Sequence, residues 1–119
     1  MNRTTPEHIT SLAADEVFVF GSNARGTHGG GAARLAYDRF GAVWGEGEGL
    51  FGQSYALPTM GGMDEIRDSA RTFCAFAAEH ADLTFLLTKV ACGIAGYDKA
   101  EIAPLFADTP ANVIKPAGW

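Results

Sequence analysis

Apolar and polar residues follow one another along this chain in blocks that predict alternating strands and helices. Short apolar runs rich in β-branched and aromatic residues are typical of strands buried on both faces. Such runs predict strands over 16–20, 54–57, 84–90 and 112–114. Between them, helix-forming residues predict a helix over 32–40, and apolar positions three to four apart predict one over 64–80. A capping pattern predicts a third helix from Lys99 to about Phe106.

The helix boundaries carry their own signals. Asp64 is the expected N-cap of the second helix, and Gly41 is expected to end the first. Asp98 and Glu101 have the spacing of a capping box, which predicts the start of the third helix at Lys99.

Two further segments are less regular. Residues 9–14 form an apolar patch compatible with a helical turn before the first strand. The glycine-rich residues 41–53 are interpreted as an irregular loop, in which Trp44, Leu50 and Phe51 serve as anchors. The Gly-x-Gly-x-x-Gly pattern at 47, 49 and 52 is not taken as a dinucleotide fingerprint, since that motif needs a strand before it and a helix after it.

The order β-loop-α, long loop, β, α, β-loop-α, β predicts an α/β domain. Alternation of this kind favours a three-layer α/β/α sandwich with helices on both faces of a largely parallel sheet. At 119 residues the chain is expected to form one domain over 1–119. Ligands of such sheets bind outside the carboxyl ends of the strands.

The amino-acid composition of the chain limits the kinds of molecule that it is expected to bind. The formal net charge is −5 and no basic cluster occurs, so non-specific nucleic-acid binding is not expected. A small phosphorylated ligand remains compatible with this charge, because backbone amides hold phosphate without net positive charge. No apolar run has membrane-spanning length and residues 1–12 carry no signal-peptide stretch, which predicts a cytoplasmic protein without membrane contact.

Metal or cofactor chemistry is not indicated by the sequence. The cysteines Cys74 and Cys92 are too few and too far apart to suggest a disulfide scaffold or a zinc site. No pair of histidines has the spacing of metal ligands. We therefore expect no metal and no cofactor.

Two glycine-bearing loops each follow a predicted strand and precede a helix. The first runs from Gly21 to Gly31 with five glycines in eleven positions, and the second is Cys92-Gly93-Ile94-Ala95-Gly96-Tyr97. Such loops turn backbone N–H groups toward an anion, and the following helix adds a favourable dipole. Two of them predict a site for a ligand with more than one phosphate.

Asn23 and His28 are the candidate catalytic residues of the first loop. The Asn23 amide suits a ribose hydroxyl, or it bonds its own backbone in a turn. His28 suits a phosphate contact or acid–base work near neutral pH; the alternatives are a solvated loop residue or a helix cap.

Three side chains around the second loop have similarly open roles. Lys89 reaches a phosphate or remains a solvated strand-end lysine. Cys92 has a lowered pKa beside the helix start, or it is a small buried hydrophobe. Tyr97 stacks on a sugar or base, or packs under the loop.

These motifs resemble those of the macro domain, an ADP-ribose-binding α/β module. The resemblance lies in Ile9-Thr10-Ser11-Leu12, in residues 17–23, in Gly29-Gly30-Gly31 entering a helix, and in residues 92–97, and it extends over about residues 8–115. It implies a macro-domain-like sandwich with a mixed central sheet and a cleft in which the glycine loops hold a diphosphate. The ligand-binding residues it implies are Gly21, Ser22, Asn23, Gly29, Gly30, Gly31, Ala32, Cys92, Gly93, Ile94, Ala95, Gly96 and Tyr97.

The chain departs from the family pattern at three places that bear on function. Pro58-Thr59-Met60 and Ala95 stand where one branch has a Lys after its second strand and an Asp in its second loop. His8 stands where many members have an Asp that recognises adenine. Ala32 and Ala33 follow the glycine run where one hydrolytic branch has an Asp.

Three functions follow as hypotheses. The first is binding of a small nucleotide resembling ADP-ribose, or of an ADP-ribosylated macromolecule. The second is a hydrolase that removes ADP-ribose from a protein or nucleic acid, with Asn23 positioning a ribose and His28 activating water. The third is a non-catalytic interaction domain whose Trp44, Phe51 and Trp119 form an exposed patch.

Overall fold

A computed structural model of the chain describes residues 3–23, 25–26, 31–92 and 95–119. Within these residues the elements are β1 (Glu16–Ser22), α1 (Gly31–Arg39), β2 (Gly49–Phe51), β3 (Ser54–Pro58), α2 (Met63–Glu79), β4 (Thr84–Leu87), α3 (Lys99–Ile102), a 3-10 turn (Ala103–Phe106) and β5 (Val113–Ile114). No helix of this described part is both long and apolar enough to cross a membrane.

The strands form one five-stranded mixed sheet in the order β2-β3-β1-β4-β5. β1 pairs in parallel with β3 and with β4, and β4 pairs in parallel with β5. Among the described strands, only β2 runs antiparallel, against β3. The α/β class and the mixed, largely parallel sheet that the sequence predicts are confirmed.

Side chains of β1 alternate between the two faces of the sheet, because successive residues of a strand point to opposite sides. Val17 and Val19 belong to a large core cluster with α2, Ile102 and Phe106. Phe18 and Phe20 belong to a second cluster with α1 residue Ala36. Each face of the central strand is therefore covered by buried apolar side chains.

Helix α2 matches the sequence prediction closely. The four periodic residues Ile66, Ala70, Phe73 and Ala77 are all buried. The predicted N-cap is wrong: Gly62 occupies the N-cap position, and Asp64 lies in the first turn, where its carboxylate pairs with Arg67 at 3.1 Å. An acidic residue in the first turn still favours the helix dipole.

The predicted irregular loop over 41–53 contains a strand. Leu50 of β2 lies opposite Tyr55 of β3, and Gly52-Gln53 form the hairpin turn. Pairing with a partner strand outweighs the poor strand propensity of the glycines. Trp44 is not an anchor, because half of its surface is exposed.

Three other boundaries differ from the prediction. No helical turn forms over 9–14. β4 ends at Leu87 because a turn over 89–92 follows. Gly41 does end α1 as predicted: its φ is 85°, and the Ala42 N–H donates to the Ala36 carbonyl at 3.1 Å, as in a glycine C-cap. The third helix begins at Lys99 behind the predicted capping box, and it tightens to a 3-10 turn after Ile102. Pro104 lacks the N–H that an α-helix needs at that position.

Candidate functional site

A cleft of about 240 Å³ opens at the carboxyl ends of β1, β3 and β4. Its described lining is Gly21, Ser22, Asn23, Gly31, Ala32, Ala33, Thr59, Met60, Thr88, Lys89, Val90, Ala91 and Ala95. Residues of both glycine-bearing loops are among these, so the two loops meet at one concavity as predicted.

The topology of the sheet explains why a cleft forms here. After β1 the chain continues into α1, which packs with Phe18 and Phe20 on one face. After the neighbouring strand β4 it continues into α3, whose Ile102 packs on the other face. Where the connections from two adjacent parallel strands leave to opposite faces, a crevice remains between them, and this is the usual ligand site of open α/β sheets.

Gly21 forms the floor of the cleft between the flanking segments. A Cβ atom at this position would lie 3.2 Å from the Thr59 hydroxyl oxygen and 3.5 Å from the Ala91 backbone nitrogen. The segment after β3 is held against β1 by Ser22, whose carbonyl accepts from the Thr59 N–H at 2.9 Å and from its hydroxyl at 3.3 Å. Glycine at the floor thus lets the two flanking segments approach β1 closely.

The hydroxyl groups of the lining donate to the protein's own backbone. Ser22 donates to the Asn23 carbonyl at 3.2 Å, and Thr88 donates to the Val19 carbonyl at 2.7 Å. The Thr59 hydroxyl also donates to a backbone carbonyl, as described above. Each of the three hydroxyl groups therefore has its only proton in a hydrogen bond to the protein itself. Hydrogen bonds to a ligand anion are therefore left to the amides and the one ammonium group of the lining.

A tight turn shapes the wall that follows β4. The Cys92 N–H donates to the Lys89 carbonyl at 3.3 Å, and Ala91 has a φ of 65°. A positive φ at the third position is the mark of a type II turn, which usually places glycine or asparagine there. The Ala91 carbonyl accepts from the Tyr97 N–H at 2.9 Å and so closes the base of the second loop.

The electrostatics of the cleft favour an anion. Gly31, Ala32 and Ala33 lie in the first turn of α1, where amide N–H groups have no carbonyl partner within the helix. The positive end of the helix dipole lies at the same place. Lys89 is the only charged side chain of the described lining, and it is exposed.

Neither cysteine is an activated thiol. Burial raises the pKa of the Cys92 thiol, and the nearby Asp98 carboxylate raises it further. Burial likewise raises the pKa of Cys74. The interpretation of Cys92 as a group with a lowered pKa is therefore wrong, and it packs as a half-buried apolar residue against the core.

A shallower groove of about 490 Å³ adjoins the cleft and shares Gly31, Ala32 and Thr88 with it. Its floor is apolar, with Ile9 and Phe18. Around it lie further residues of the N-terminal segment and of α1: Pro6, Glu7, His8, Thr10, Leu35 and Arg39. Among the described residues, no group of three or more His, Cys, Asp or Glu side chains is placed to hold a metal ion.

Six of the predicted ligand-binding residues line the cleft: Gly21, Ser22, Asn23, Gly31, Ala32 and Ala95. Cys92, Gly96 and Tyr97 do not belong to this lining, and Cys92 and Tyr97 pack against the core instead. The remaining predictions, His28, Gly29, Gly30, Gly93 and Ile94, lie outside the described residues.

Sequence reasoning missed Thr59, Met60 and Thr88. They carry no motif: Thr59 and Met60 follow the predicted strand over 54–57, whereas Thr88 lies inside the predicted strand over 84–90. The rule that ligands bind at the carboxyl ends of parallel strands is the signal that finds them.

No match to this chain was found among protein-family models, curated proteins or solved structures.

Proposed function

We propose that the cleft binds a nucleotide diphosphate of the ADP-ribose class, and that the domain is a compact three-layer α/β/α sandwich of the macro type. The observation that supports this most directly is the meeting of Gly21–Asn23, Gly31–Ala32 and Ala95 in one cleft. Segments far apart in the chain thereby line the same space beside the N-terminus of α1, and loop amides and helix N-termini are groups that hold phosphate in proteins.

The chemistry of the cleft suits phosphate. The first-turn amides of α1 supply uncharged donors, and Lys89 supplies one positive charge in a chain of net charge −5. An ammonium group and backbone amides together hold a phosphate through charge-assisted hydrogen bonds. Such a site selects an anion without making the whole surface basic.

The space also suits a nucleotide. The cleft of about 240 Å³ continues into the groove of about 490 Å³ across Gly31 and Ala32. Small-molecule sites commonly span about 300–1,000 Å³. A diphosphate in the cleft leaves the apolar groove floor at Ile9 and Phe18 for a ring-bearing group.

Isothermal titration of the domain with ADP-ribose, ADP and NAD tests this proposal. We expect saturable heat with ADP-ribose, together with a rise in melting temperature, because a ligand that binds only the folded state stabilises it. The absence of both heat and a thermal shift for all three compounds would refute the proposed function.

Hydrolysis of an ADP-ribosyl bond is the second candidate, and the position of Asn23 in the cleft favours it. Its amide would position a ribose, while the sequence assigns the acid–base role to His28, outside the described residues. The test is to incubate an ADP-ribosylated protein or nucleic acid with the wild type and with His28→Ala. Release by the wild type alone would support this role; equal release by both would remove His28 from it, and release by neither would leave binding as the function.

A further inference from the structure

The two sides of the cleft are chemically unlike. β3 and β4 flank β1 in the sheet, so the segments that follow them form opposite banks above the floor at Gly21. Because neighbouring strands lie about 4.8 Å apart, the banks are separated by about 10 Å at the level of the sheet. Lys89 lies on the β4 bank and Met60 on the β3 bank.

The β4 bank carries the charge. Lys89 is exposed and, within the described residues, forms no ion pair. The acidic side chains further along this segment, Asp98 and Glu101, do not line the cleft, and the Glu101 carboxylate accepts the Asp98 N–H at 3.1 Å. The ammonium group is therefore available to a ligand.

The β3 bank is apolar at its rim. Met60 lines the cleft with 51% of its surface exposed, so its side chain is accessible to a ligand there. The neighbouring Thr59 is buried, with its hydroxyl proton committed to the Ser22 carbonyl. A flexible thioether chain of this kind adapts to the face of a ring or another apolar group.

We propose that the cleft orients its ligand across these banks, with the phosphate group against Lys89 and, against Met60, a second apolar or ring-bearing group, distinct from the one over the groove floor at Ile9 and Phe18. This inference rests on the proposed nucleotide-binding function and adds Met60 to it as a specificity-determining residue opposite Lys89. It makes the ligand class an anion with an apolar substituent, rather than a free inorganic anion.

Two probes separate the contributions of the banks. Titrations with inorganic pyrophosphate and with ADP-ribose are compared for the wild type, Lys89→Met and Lys89→Arg. Lys99→Met is the matched control, since this exposed lysine on α3 lies outside the cleft lining and its loss changes net charge equally. Met60→Gln makes the other bank polar at similar length, and Met60→Leu keeps it apolar.

We expect Lys89→Met to weaken the binding of both pyrophosphate and ADP-ribose about tenfold or more, since a charge-assisted hydrogen bond is lost. Lys89→Arg should retain binding within about threefold, and Lys99→Met should match the wild type. Met60→Gln should weaken the binding of ADP-ribose about fivefold and leave the binding of pyrophosphate unchanged. Met60→Leu should bind ADP-ribose as the wild type does, because it keeps the side chain apolar.

Equal loss in Lys89→Met and Lys99→Met would show a general charge effect and overturn the assignment of Lys89. Equal weakening of both probes by Met60→Gln would overturn the assignment of Met60, as would no weakening of either. A wild type that binds neither probe refutes the proposed function itself. Wild-type binding that no cleft variant changes refutes only the orientation. Thermal unfolding of each variant confirms that it is folded.

Discussion

Gly26 shows how a single residue holds the first glycine loop in place. Its N–H donates to the Asn23 carbonyl at 3.0 Å, and its carbonyl accepts from the Gly45 N–H at 2.9 Å. Its φ is 69°, and a Cβ atom there would overlap the backbone of Gly45 and Glu46, with the Glu46 carbonyl carbon at 2.8 Å. Only glycine allows this approach between the loop and the turn before β2.

We predict that Gly26→Ala lowers the free energy of unfolding by about 2–4 kcal/mol, from the positive φ and the backbone overlap together. Gly45→Ala is the control, since Gly45 also has a positive φ of 94° but has no atom within 4 Å of its would-be Cβ. It should lose only about 1–2 kcal/mol. Urea unfolding measures both variants, and an equal loss would contradict the role of the close approach.

Glu16, at the start of β1, makes stability depend on pH. Its carboxylate accepts from the Ala13 N–H at 2.8 Å and from the Arg3 guanidinium at 3.1 Å. The backbone hydrogen bond from Ala13, followed by the one from Arg3, holds the pKa of Glu16 below its ordinary value of 4.5. A lowered pKa in the folded state means that the unfolded chain takes up the proton first as pH falls.

We predict that Glu16→Gln destabilises the domain at pH 7 by on the order of 1 kcal/mol. The carboxylate contributes its full stabilisation above the unfolded pKa and loses it as pH falls through the folded pKa. The gap between wild type and variant should therefore close as pH drops below about 4.5. Urea midpoints between pH 7 and pH 3 measure this, with the exposed Glu79→Gln as control; a gap that widens in acid would contradict the prediction.

Among the elements, α2 contributes most visibly to the core. Phe73 has no exposed surface, and its ring centroid lies 5.0 Å from that of Tyr55 and 5.5 Å from that of Phe85. Burial among these rings raises the pKa of Tyr55 to about 12. The helix thus covers β3 and β4 with one aromatic cluster.

We predict that Phe73→Ala lowers the free energy of unfolding by about 3–5 kcal/mol, because a fully buried ring leaves a cavity. Phe76→Ala is the comparison within the same helix. Phe76 is only half-buried and stacks on His80, with the two ring centroids 4.0 Å apart. Its cost should be clearly smaller. Chemical unfolding of both variants decides the matter, and a larger loss for Phe76→Ala would be inconsistent with this account of the core.

At the scale of the whole molecule, Asn112 joins segments far apart in the sequence. Its side-chain amide donates to the carbonyls of Ala77 at 2.9 Å, His80 at 3.0 Å and Leu83 at 3.0 Å. The residue thereby ties the end of α2 and the start of β4 to the beginning of β5. An amide nitrogen has two protons, so the three carbonyls share them.

We predict that Asn112→Ala costs about 1–3 kcal/mol of stability, because three part-buried hydrogen bonds are lost and the carbonyls of Ala77 and His80 keep only the backbone N–H groups of His80 and Leu83 as donors. Asn112→Asp should cost more at neutral pH, since it places a carboxylate against three carbonyl oxygens. Urea unfolding at pH 7 measures the free energy of unfolding of both variants and of the wild type. Equal stability of Asn112→Asp and the wild type would contradict this role.

The predicted aromatic patch of Trp44, Phe51 and Trp119 does not form, because the sheet topology separates Phe51 from Trp119. Phe51 lies on the edge strand β2, whereas the C-terminal segment follows β5 at the opposite edge. Trp119 packs on Phe106 with ring centroids 5.9 Å apart. Trp44 is instead exposed, and its ring centroid lies 5.5 Å from that of Tyr37.

Local sequence patterns determined the main elements of this protein. β1, β3 and α2 follow from apolar runs and from a period of three to four residues, because burial on a face or a stripe leaves its mark within each segment. The positions of the two glycine-bearing loops after β1 and β4 follow in the same way. The short strand β2 does not, since Leu50 becomes a strand residue only by pairing with Tyr55.

The tertiary structure alone decided what faces the cleft. The order of strands places β1 between β3 and β4, and this order brings Thr59, Met60 and Lys89 around Gly21. The sequence indicates Lys89 as a strand-end lysine, but no local pattern shows that the three residues are neighbours, because their nearness arises from pairing between segments distant in the chain. The sequence by itself placed one glycine-bearing loop after β1 and another after β4; the pairing of strands decided that residues of both line one cleft, and with which neighbours.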